Sequence, residues 1–67
     1  METAKRIIYT KQGYSFYVWS DFVYRCTCAQ NTETGETRVI KSSGYISNER
    51  TIQKAIVRAF GLDEVRA

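Results

Sequence analysis

The chain has no histidine and no proline, and only two cysteines among its 67 residues. Without histidine there is no ordinary Ser-His or Cys-His pair to activate a nucleophile. Two cysteines permit at most one disulfide, so a disulfide framework is excluded. Zinc needs four ligands in a structural site, or three plus water in a catalytic one. Cys26-Thr27-Cys28 could reach that number only with thiolates from a second subunit, and its spacing is not the C-x-x-C of redox motifs. The four glycines are isolated, which excludes a glycine-rich loop that cradles phosphate. The carboxylates are scattered, and Glu33 and Glu36 share a loop that reads as solvated. A domain of this size also has little room for a pocket. The expectation is a non-enzymatic protein without cofactor or metal.

Targeting signals are lacking as well. No apolar run approaches the roughly 20 residues that span a bilayer. Met1 to Lys5 is polar, with no apolar segment of the secretory kind after it, and no glycosylation or lipidation motif is present. These features lead to an expected cytoplasmic location with reduced thiols and no membrane partner.

What is present suits one small domain over residues 1–67. Apolar residues make up 43% and charged residues 25%, the balance of a globular chain and not of a disordered tail. Chains this short bury only about 60% of their unfolded surface, so oligomerisation is the common remaining source of stability. Nine residues are aromatic, more than one small core needs, so some rings are expected at a surface or an interface. The net charge of +3 is compatible with nucleic-acid binding without approaching the density of a histone-like protein.

The clearest pattern is Ser47 to Leu62. Ile52, Ala55, Ile56, Ala59 and Phe60 follow the i, i+3, i+4, i+7, i+8 series of a helix with one buried face. Ser47 or Asn48 can cap its start. Gly61 suits a left-handed C-terminal cap, with Leu62 folding back on Val57 or Ile56, and Ile46 can staple the first turn. The tail after Gly61, with Leu62 and Val65, is expected to add a helical turn or to fray, as Met1 to Ala4 does.

Upstream the pattern is strand. Lys5 to Lys11 holds Ile7, Ile8 and Tyr9. A two-residue turn at Gln12-Gly13 would pair Ile7 with Val18 and Tyr9 with Phe16, placing Ile7, Tyr9, Tyr14, Phe16 and Val18 on the core face. From Tyr14 to Ala29 the even positions are nearly all apolar, Cys26 and Cys28 included. One strand of that length would span roughly 50 Å, too long for the domain, so a bend or turn is expected at Trp19 to Asp21. Asn31 to Glu36 reads as a hairpin loop, Thr37 to Lys41 as the last strand with Val39 and Ile40 on opposite faces, and Ser42 to Gly44 as a connector. The expected fold class is α+β: an antiparallel β-meander of three to four strands followed by one C-terminal helix packed on one face, βββα-like.

That outline is similar to the arm-binding domain of tyrosine recombinases and to the DNA-binding domain of plant ethylene-response factors, in which the sheet lies in the major groove. It is similar also to the C-terminal part of double-stranded RNA-binding domains. The chain differs from the RNA-binding group in lacking a first helix and a lysine cluster at the start of its own. It differs from the DNA-binding group in having few basic residues on its strands.

Two candidate surfaces follow. Arg50, Lys54 and Arg58, spaced i, i+4, i+8, line one side of the helix, and Arg25 and Lys41 could add charge from the sheet. Such a stripe can track a DNA or RNA backbone, although a solvated helix face carries the same residue types. The second surface is the outer sheet face, expected to expose Tyr17 and Trp19 with Ile8 and Thr10 beside them. It suits a protein partner or a homodimer better than base stacking, because no cations are interleaved with those rings. The leading expectation is a nucleic-acid-backbone module. The alternative is a protein-interaction or inhibitor module of the phage or plasmid accessory type, homodimeric through Tyr17, Trp19 and Ile8.

Overall fold

The computed structural model describes residues 4–62; the expectations for the two chain ends fall outside that range. Four strands, β1 (Arg6–Tyr9), β2 (Ser15–Asp21), β3 (Cys26–Asn31) and β4 (Thr37–Lys41), form one antiparallel sheet in sequence order. A single helix, α1 (Glu49–Phe60), closes it. This is the α+β meander-plus-helix expected, with four strands.

The helix forms where the pattern placed it. Asn48 caps it, its side chain accepting from the Thr51 amide at 3.1 Å. Gly61 ends it at φ 67°, and the Leu62 amide donates to the Val57 carbonyl at 2.9 Å. Ile52 and Ile56 are fully buried against Ile8, Phe16, Val18 and Ala29, with Ile40, Ile46, Phe60 and Leu62 packed around them. The Phe16 and Phe60 rings meet at 4.7 Å between centroids.

The strands correct two details. The first hairpin closes through a three-residue loop, Lys11–Gly13. The Gly13 amide donates to the Thr10 carbonyl, the Thr10 amide to the Tyr14 carbonyl, and Gly13 takes φ 96°. One loop residue more than expected shifts the register by one, so Ile8 pairs with Phe16 and Ile7 with Tyr17. A one-residue slip exchanges the faces of a strand. Ile8 therefore enters the core at 2% exposure, while Ile7 and Tyr9 point outward, the reverse of the expected arrangement.

The second correction is the turn in the long alternating run. Tyr14 to Ala29 as one strand would exceed the longest dimension of the molecule, 38 Å. The chain reverses at Phe22–Arg25, just beyond the expected position. The Asp21 carboxylate starts the turn by accepting from the Val23 and Tyr24 amides at 2.9 and 3.1 Å. Arg25 completes it at φ 55°. The even turn length pairs Trp19 with Cys28 and Asp21 with Cys26. Both cysteines thus lie on the face away from α1, not on the core face. They are buried there beside Trp19, with Sγ atoms 3.7 Å apart.

A register shift in the β3–β4 pairing, with Cys28 opposite Val39 and Thr27 opposite Lys41, leaves a bulge at Ile40. Buried Thr27 then holds the connector to α1, donating to the Gly44 carbonyl and accepting from the Ile46 amide. No helix among the described residues is long and apolar enough to cross a membrane.

Candidate nucleic-acid interface

All three cations of the helix stripe are exposed. They line a groove of about 970 Å³ between α1 and the β1–β2 loop, whose other wall includes Thr10, Lys11 and Gln12. The Gln53 side chain ties the walls together by donating to the Tyr9 carbonyl at 2.8 Å. Lys54 and Arg58 also border a smaller hollow with Ile40, Thr51 and Ala59, so they stand on a ridge between the two. Lys11 is the residue that sequence reasoning missed. Its charge was visible, but only the crossing of helix over hairpin brings it to the stripe.

The stripe is not explained by helix stability. Arg50 sits in the first turn, where the positive end of the helix dipole disfavours a cation by about 0.3–1 kcal/mol. Arg50–Lys54 and Lys54–Arg58 are like-charge i, i+4 pairs, each destabilising by roughly 0.2–0.5 kcal/mol. Only Arg58, in the last turn, gains from the dipole. Among the described residues none of the four groove cations forms an ion pair; the pair found there joins Arg38 and Glu36, 2.6 Å apart on the surface.

Arg25 and Lys41 do not join this group. Arg25 lies in the β2–β3 turn and Lys41 at the end of β4. The two ends meet through the connector: the Gly44 amide donates to the Arg25 carbonyl at 2.8 Å. Gly44 in turn lies close to the Lys41 side chain.

The outer sheet face also differs from expectation. Ile8 is in the core and cannot serve as an interface residue. Thr10 is likewise buried. Trp19 does face away from α1 but is only 9% exposed, with the Lys5 ammonium 4.6 Å from its ring centroid. Of the three predicted interface residues Tyr17 alone is open, and the register brings Ile7, Tyr9 and Val39 to the surface with it. No family model, curated protein or solved structure matches the chain.

Proposed function

We propose that the chain is a small non-enzymatic module that binds nucleic-acid backbone along α1. One observation carries this reading: three like-charged residues align at a cost to the helix, and a fourth cation faces them across a groove. Such an arrangement stabilises a bound polyanion more than it stabilises the fold. From Arg50 to Arg58 the helix rises about 12 Å. Successive phosphates of a strand lie farther apart than the axial rise of about 3.4 Å per nucleotide, so a stripe of this length is long enough to meet more than one of them. Backbone contact of this kind positions a nucleic acid without reading its sequence.

The test is salt dependence. Affinity for DNA or RNA should fall steeply with salt. The triple variant R50A/K54A/R58A should weaken binding to all sequences alike and flatten the log K against log salt slope by about 2 to 3. Salt-insensitive binding, or none, would end the proposal.

The second reading is a protein-interaction module, homodimeric through the outer sheet face. It is favoured by the exposed row of Ile7, Tyr9, Tyr17 and Val39. Sedimentation as a monomer at high concentration would count against the homodimer.

A further inference from the structure

The end of the sheet opposite the Lys11–Gly13 loop carries an unusual surface. Phe22, Val23 and Tyr24 occupy the β2–β3 turn and are 47%, 67% and 77% exposed. Tyr45 joins them from the connector, its ring packed edge-on against Phe22 at 5.3 Å. Four large apolar side chains held in water at one tip have no role in the core. The turn that presents them is well secured. Asp21 accepts from two of its amides, and the Gly44–Arg25 hydrogen bond fastens it to the connector. Ordering rings before a ligand arrives lowers the entropic cost of binding.

The charge at the tip selects the ligand. Arg25 belongs to the turn itself and Lys41 is adjacent through Gly44, both exposed. Asp21, the one carboxylate in the turn, is engaged by the Val23 and Tyr24 amides. Three aromatic rings with two cations at the same end of the sheet match what unpaired bases and their phosphates require: flat faces for stacking and positive charge for the backbone. A duplex keeps its bases stacked on one another and offers such rings little. Tyr45 lies five residues before Arg50 in the chain.

We propose that this tip is a base-stacking platform, and that the ligand of the module is single-stranded nucleic acid, with bases on Phe22, Tyr24 and Tyr45 and backbone on Arg25 and Lys41. The inference rests on the backbone-binding reading of α1 and narrows it from nucleic acid in general to single strands.

The experiment titrates the full chain with a 15-nucleotide oligothymidine and with a 15-base-pair duplex, followed by fluorescence anisotropy of a label on the nucleic acid. Tyr24→Ala, Tyr45→Ala and R50A/K54A/R58A are run beside the wild type. All are surface changes, and circular dichroism checks their folding. The expected result is that the single strand binds at least about ten-fold tighter than the duplex, and that each ring variant loses roughly ten-fold on the single strand with little change on the duplex. Equal affinity for both ligands and unaffected ring variants would overturn the stacking platform while leaving the helix stripe standing. Loss of binding to neither ligand in the stripe variant, with ring variants defective, would remove the stripe and keep the platform. Absence of binding to either nucleic acid would overturn both. A parallel co-sedimentation with vesicles of phosphatidylcholine and phosphatidylserine completes the set. Ring-dependent capture by vesicles, without single-strand binding, would identify the tip as a lipid contact and overturn the proposal.

Discussion

Arg50 is the residue whose placement best separates helix stability from the proposed binding role. It lies in the first turn of α1 and repels Lys54 one turn on. Arg50→Glu would give the first turn a favourable charge and an i, i+4 partner for Lys54. We expect the variant to gain about 0.5–1.5 kcal/mol in urea denaturation and to bind nucleic acid more weakly. A variant that is both less stable and unaffected in binding would contradict the role given to the stripe. Arg25 and Gly61 form a second contrast, since both hold left-handed backbone, at φ 55° and 67°. Arg25→Gly relieves strain but adds unfolded-state freedom, so thermal melting should show no loss and up to about 1 kcal/mol of gain. Gly61→Ala should lose about 1 kcal/mol at the helix cap.

At the scale of elements, the first hairpin shows how a single loop residue decides the core. Lys11–Gly13 sets the register that sends Ile8 inward and Ile7 and Tyr9 outward. Deleting Gln12 would leave the two-residue loop Lys11-Gly13 closed by the same Thr10–Tyr14 pair, so Ile8 should keep its place opposite Phe16. Urea denaturation should then show a loss below the roughly 2 kcal/mol that emptying the Ile8 site would cost. Asn48→Ala removes one cap bond and should cost about 0.5–2 kcal/mol. Ile56→Ala, which opens a cavity beneath the centre of α1, should cost about 2–5 kcal/mol.

For the whole molecule the notable property is division of labour between its two ends and two faces. The helix side holds the core and, on its outer edge, the groove with Lys11, Arg50, Lys54 and Arg58. The far end of the sheet holds Phe22, Tyr24 and Tyr45 with Arg25 and Lys41. The outer sheet face holds Tyr17 among Ile7, Tyr9 and Val39, over the Trp19–Cys26–Cys28 cluster. Because Trp19 is nearly buried under Lys5, its emission should be blue-shifted in the monomer and unchanged on dilution. A shift to red on dilution would instead show that a second copy covers this face.

The sequence alone determined the helix, its caps and its buried stripe, because local periodicity and capping chemistry decide these within one turn of chain. Ile52, Ile56, Asn48 and Gly61 all stand where the pattern put them. It also determined that strands precede the helix and that Thr37–Lys41 is the last of them. Tertiary structure decided which face each strand shows, since parity depends on loop lengths that alternating apolar residues on both faces leave open. That is why Ile8 and the cysteines exchanged sides, and why the turn expected at Trp19 to Asp21 fell instead at Phe22–Arg25 and left Phe22–Tyr24 as an exposed tip. It likewise decided which cations meet. Arg50, Lys54 and Arg58 were already aligned by helical spacing, but Lys11 joins them only because the β1–β2 loop faces the helix across the groove, whereas Arg25 and Lys41 lie in the β2–β3 turn and at the end of β4.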